Sequence, residues 1–164
     1  IDQHKFTARF YLVAVSGQLM CYEDSVVFIH GAAYAPNDAN HASQVDNRGY
    51  RDAGSHIELV SGSQTPHAGP LAKAAQTLAA DMTELLDEVR QASIAGASEE
   101  KAFAVLALDT VLTKSGDLKL LRIHTFPNFI TTARIDADVH VPLFEDVLRV
   151  MAGIPSRKLA TITN

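Results

Sequence analysis

The 164 residues are 47% hydrophobic and 20% charged, the balance of a folded domain and not of a disordered chain. Nineteen acidic residues against fourteen basic ones leave a net charge of −5, which gives no general attraction to nucleic acid or to an anionic bilayer. No apolar run approaches the roughly 18 residues of a membrane span, and a single cysteine, Cys21, excludes an internal disulfide and the paired CxxC of structural zinc sites.

The chain begins with Ile1, no basic-then-apolar leader follows, and it reads as a fragment of a longer fold. From Lys5 to Val15 apolar residues alternate, which predicts a strand with Phe6, Ala8, Phe10, Leu12 and Ala14 on one face. Ser16-Gly17 turns the chain, and Leu19–Tyr22 and Val26–Ile29 read as return strands broken by Glu23-Asp24-Ser25. Ala35–Ser55 is polar and turn-rich, the profile of a surface loop, and His56–Val60 reads as a short strand. After a further loop, Pro70 opens a helix. Its apolar positions are Leu71, Leu78, Met82, Leu85, Leu86 and Val89, and Gly96 closes the run.

Two strands follow, Phe103–Leu112 and Leu118–His124, around a Lys114-Ser115-Gly116-Asp117 turn. The last helix spans about Val139–Ala152, with Leu143, Phe144, Val147, Leu148 and Met151 on one side and Pro142 in its first turn. Hairpins packed with two helices make an α+β domain with a mainly antiparallel sheet, one unit over residues 1–164.

Several local patterns, in order, go beyond this layout. His4-Lys5-Phe6-Thr7-Ala8-Arg9-Phe10-Tyr11-Leu12 resembles the "KFDxRxYxL" strand of tubulin–tyrosine-ligase-like enzymes. Met20-Cys21-Tyr22-Glu23-Asp24-Ser25-Val26-Val27-Phe28 is similar to the next hairpin, "YxxxGxxR", and His56-Ile57-Glu58-Leu59 falls where that family has "HLTN". Phe103–Asp109 resembles "FELxGxD", and Leu120-Leu121-Arg122-Ile123-His124-Thr125-Phe126-Pro127 resembles "LLEVNxxP". Val141–Gly153 is similar to the family's closing helix. The resemblance implies the C-terminal part of an ATP-grasp ligase domain, without the regions that form most of the adenine pocket.

Such a ligase activates a carboxylate with ATP, so its site needs Mg²⁺ and cations around the phosphates. By resemblance, Lys5 and Arg9 stand where the family contacts phosphate, and Asp109 stands as one metal ligand. The other two ligand positions hold Arg122 and His124. Arginine has no lone pair to offer, and histidine is a poor Mg²⁺ ligand beside a carboxamide oxygen. Phe28 occupies the position of a phosphate-binding Arg, and Glu58 and Leu59 replace a Thr-Asn pair. The strand aspartate is Thr7.

The resemblance thus leads to a degenerate, non-catalytic structural or interaction component of a larger assembly, with no cofactor expected. An active ATP- and Mg-dependent ligase of tubulin tails and a small unrelated α+β binding module are the alternatives. If Ser115-Gly116 is the hairpin tip, Asp109 faces Arg122 and pairs with it across the strands. Expected partners are protein subunits covering one sheet face, either that of Phe6, Phe10 and Leu12 or that of Tyr11, Val13 and Val15. Tubulin is a candidate by resemblance, though an acidic chain suits an acidic tail badly. The resemblance implies an intracellular, cytoplasmic or cytoskeletal setting.

Other chemistry finds less support. The seven histidines show no HxxxH or HxH spacing, and Ser61 and Ser63 lack a GxSxG elbow. The basic, aromatic run Asn47-Arg48-Gly49-Tyr50-Arg51 reads as a solvated loop or a partner contact.

Overall fold

The computed structural model describes residues 1, 4–15, 18–35, 37, 39, 57–84, 86–87, 91, 103–129 and 131–162. The Ser16-Gly17 turn, the Asn47–Arg51 run, His41, His56, Leu85, Val89, Gly96 and most of the Ala35–Ser55 loop lie outside the described residues. Among the described residues six strands form one antiparallel sheet: β1 (His4–Val15), β2 (Gln18–Ala33), β3 (Ile57–Ser61), β4 (Phe103–Leu112), β5 (Leu118–His124) and β6 (Leu159–Thr161). The order is β3-β2-β1-β4-β5, and β6 pairs with β2 beside β3. Helix α1 spans Ala68–Asp81 and α2 spans Val141–Met151. The class is therefore α+β with a mainly antiparallel sheet. Among the described residues no helix is long and apolar enough to cross a membrane.

β1 is apolar on both faces, as a central strand covered on both sides requires. Ala8, Phe10, Leu12 and Ala14 pack with Leu71, Ala75 and Ala79 of α1, and with Met82 and Leu86 just beyond it. Tyr11, Val13 and Val15 pack instead with Val139, Leu143 and Val147, along and just before α2. Phe10 is 1% exposed, and Tyr11, Leu12, Val13 and Val15 are 0%. This corrects the expectation that another polypeptide covers one of these faces. The chain's own helices cover both, and each large side chain so buried contributes roughly 1.5–3 kcal/mol.

The expected break at Glu23-Asp24-Ser25 is instead a register irregularity within one long strand, since Phe10 pairs Ser25 while Leu12 pairs Cys21. Here the outer edge of β2 passes from β6, which pairs Met20–Tyr22, to β3, which pairs Val26–His30. Asp24, 3% exposed, pins the junction. Its carboxylate accepts from the Ser25 and Ser63 amides at 2.7 and 3.0 Å, and from the Ser61 and Ser63 hydroxyls at 2.8 Å each. These bonds tie the 3₁₀ turn Gly62–Gln64, and with it the start of α1, to the strand.

In the β4–β5 hairpin, Thr113 and Asp117 close a three-residue tip whose Gly116 has φ +90°, a conformation that favours glycine. The tip is thus one residue away from the expected Lys114–Asp117 closure. A bulge at Leu121 compensates, since Thr110 pairs Leu120 while Asp109 pairs Arg122. The expected backbone register at Asp109 is restored by that bulge.

Candidate functional site

Register brings the residues singled out in sequence to one end of the α2-covered face. Arg9 on β1 lies opposite Asp109 on β4, which lies opposite Arg122 on β5, and His124 follows two residues along. Arg9 approaches Asp109 in a fork, Nε to Oδ1 at 2.6 Å and Nη2 to Oδ2 at 2.9 Å. This is the strong bidentate geometry of a guanidinium on a carboxylate. His124 Nε2 lies 2.7 Å from Oδ2. A proton on that nitrogen donates to the carboxylate, which leaves its 3.2 Å approach to Arg9 Nη2 as simple proximity. Arg9 Nη1 donates to the Asn128 carbonyl at 3.1 Å, and the guanidinium lies 5.6 Å from the centre of the Phe28 ring.

The Asp109–Arg122 ion pair is thereby corrected. Arg122 stands opposite in backbone register, but its side chain is exposed, and the carboxylate is taken by Arg9 and His124. The physical reason is burial. Arg9 is 4% exposed, and a buried guanidinium cannot stay unpaired, whereas Arg122 keeps its hydration at the sheet edge. Burial pushes the Asp109 carboxyl up, but the bonds from Arg9 and His124 outweigh it and hold the group below its ordinary value.

The other named positions divide by face. Phe28 pairs with Leu59, and both pack in the α2-side core, while Glu58 is exposed. Lys5 is half-buried on β1, at the register shift between His4 and Phe6. Arg9, which by resemblance would contact phosphate, is an internal partner of Asp109.

Beside this cluster lies a second one that the sequence reading missed. Tyr11, 0% exposed, lies 2.8 Å from His140 Nε2, and His140 Nδ1 lies 3.0 Å from Asp136 Oδ1. Thr131 donates to the same Asp136 oxygen at 2.5 Å. The Phe129 ring stacks on Tyr11 and meets His140 and Phe144 edge-on. A His140 proton on Nδ1 satisfies every member: Asp136 accepts from His140, and His140 accepts from the Tyr11 hydroxyl. Burial pushes the Tyr11 hydroxyl up, so it stays protonated. The Thr131 and His140 bonds hold Asp136 down. Asp136 and His140 stand at i and i+4 in a π-helical turn, Asp136–His140, that leads into α2. The D-x-x-x-H spacing is the one signal in the sequence that could have flagged them.

Mg²⁺ with a nucleotide does not fit these donors. Both Asp109 oxygens are engaged, a guanidinium adjoins them, and the neighbouring positions offer Arg122 and a histidine nitrogen already bonded. Among the described residues no three His, Cys, Asp or Glu side chains form a group able to hold a metal ion. Chemically the two clusters can hold strands and helix together; Tyr11 is sealed from any substrate. No protein-family model matches the chain, and no curated protein matches it as a relative.

Proposed function

We propose that this chain is a non-catalytic structural or interaction module, related in its strand sequence to the C-terminal part of tubulin–tyrosine-ligase-like enzymes. The observation that carries the reading is the double engagement of Asp109 by Arg9 and His124. A ligase of that kind would give this carboxylate to a metal and this arginine to a phosphate, and here each neutralises the other. β1 and β4 also lie side by side in one sheet, as the resemblance requires. A second reading, a small unrelated α+β binding module, is favoured by the two covered sheet faces, since the chain leaves neither for a missing half.

Titration calorimetry with ATP and Mg²⁺ tests the proposal. The expected result is no heat of Mg²⁺-dependent binding. Micromolar binding abolished by a chelator would return the active ligase to first place, and tubulin would then be the partner to assay.

A further inference from the structure

β5 ends the strand order, and no other described strand pairs beyond it. The layer under α2 stops short of it, because that core takes residues of β1, β2 and β4 but none of β5. On this edge and just past it stand Leu120, Leu121 and Phe126, exposed by 37%, 58% and 95%. Phe126 is presented from a short, fixed span. On one side of it His124 is held on Asp109 at 2.7 Å, and on the other Arg9 Nη1 donates to the Asn128 carbonyl at 3.1 Å. Phe129 then stacks on Tyr11, and Pro127 pushes the residue before it toward extended backbone.

The same edge is basic. Lys119 stands opposite Val111 and Arg122 opposite Asp109, so both side chains leave the sheet on the α2 side. Lys114 lies at the hairpin tip. All three are exposed, and none has a carboxylate partner among the described residues. Asp117, the one acidic residue between Lys114 and Phe126, accepts from the Ser115 hydroxyl. The acidic end of α1, with Asp81, Glu84 and Asp87, belongs to the layer on the other face of the sheet. A chain of net charge −5 thus gathers unpaired positive charge and exposed apolar surface in one place.

We infer that the β5 edge docks on an anionic lipid surface, with Phe126 and Leu121 entering the interfacial layer while Lys114, Lys119 and Arg122 meet the headgroups. Cations and apolar side chains presented together are what such a surface takes up. An added peptide strand is the poorer occupant. The bulge at Leu121 interrupts the ladder that a new strand would extend, and charged side chains such as Lys119 blunt an edge against pairing. The outward backbone groups of β5 must stay with water or headgroups, so the contact is shallow and nothing crosses the bilayer.

The chain contains no tryptophan, so Phe126→Trp reports its own surroundings, and at so exposed a position it should leave the melting temperature unchanged. With vesicles of phosphatidylcholine and phosphatidylserine its emission should shift to the blue and be quenched by brominated acyl chains. With phosphatidylcholine alone it should do neither. Leu148→Trp, on the outside of α2, should show no shift with either vesicle. Flotation of the wild-type chain with the anionic vesicles should weaken as salt is raised. It should fall ~10-fold or more in Lys119→Glu/Arg122→Glu, since each cation near such a surface contributes about a factor of five. A wild type that does not float with anionic vesicles would overturn the inference. So would an equal shift in Leu148→Trp, a charge-reversed chain that floats as before, or capture of an acidic peptide with no binding to vesicles.

Discussion

Asp109 and Arg122 face one another in the backbone, yet they differ sharply in what their removal costs. Asp109→Asn leaves the buried Arg9 guanidinium without its carboxylate and should lower stability by about 2–3 kcal/mol in urea unfolding at neutral pH. Arg122→Ala removes an exposed side chain and should stay within about 0.5 kcal/mol. Equal costs would mean that the fork on Asp109 is not what holds this end of the sheet. The pair also has a pH signature. The folded carboxyl sits below its ordinary value, so its stabilisation is complete above the unfolded value of about 4 and is lost as pH falls through the lower folded one. The gap between wild type and Asp109→Asn should therefore close on acidification below about pH 4. A gap that persists in strong acid would show that shape, not charge, sets the cost.

The long strand β2 depends on one anchoring carboxylate where its edge changes partner. Asp24 accepts four bonds there, three of them from Ser61 and Ser63 at the entry to the turn before α1. Gly62 sits in that turn because nothing larger fits: a Cβ added there would lie 2.1 Å from Ser25 Oγ and 3.4 Å from Asp24 Oδ1. Gly62→Ala should destabilise by about 1–2 kcal/mol, as overpacking does, because a buried Ser25 hydroxyl must swing away. Thermal unfolding of the Ser25→Ala/Gly62→Ala double variant checks the mechanism. Most of the loss should be recovered, since the obstructing oxygen is gone; a double variant as unstable as Gly62→Ala alone would place the strain in the backbone.

A sheet covered on both faces by one chain should unfold as a unit. Leu12 packs under the α1 side and Leu143 under the α2 side, each 0% exposed. Leu12→Ala and Leu143→Ala should each cost about 2–5 kcal/mol, by lost burial and the cavity left behind. Denaturant melts of both variants should keep a single transition. A Leu143→Ala chain as stable as wild type would mean that the α2 layer is not folded onto the sheet without a partner, and would revive the reading in which another subunit covers that face.

Both hairpins, both helices and the α+β class were legible because their signals are local: alternation in β1, the Lys114–Asp117 turn between β4 and β5, helical spacing from Leu71, Pro142 in a first turn. The facing of Asp109 and Arg122 came out as read only because two departures cancel: the hairpin closes one residue away from the expected tip, and the bulge at Leu121 puts the register back. What went unread was decided across the sheet. Arg9 is a hundred positions from Asp109, and only the pairing of β1 with β4 brings them together. Once Arg9 was buried, it took the carboxylate that the hairpin alone assigned to Arg122. Leu148, grouped by spacing with the apolar side of α2, instead faces outward, because the π-helical turn before the helix and the packing of Leu143 and Val147 set its rotation. Asp136, His140 and Tyr11 are unremarkable apart in the chain and become one network only when the last helix folds over β1. Sequence determined the elements, through periodicity and turn chemistry within a few residues; tertiary structure decided the partners, because a buried charge must satisfy itself with whatever the fold places beside it.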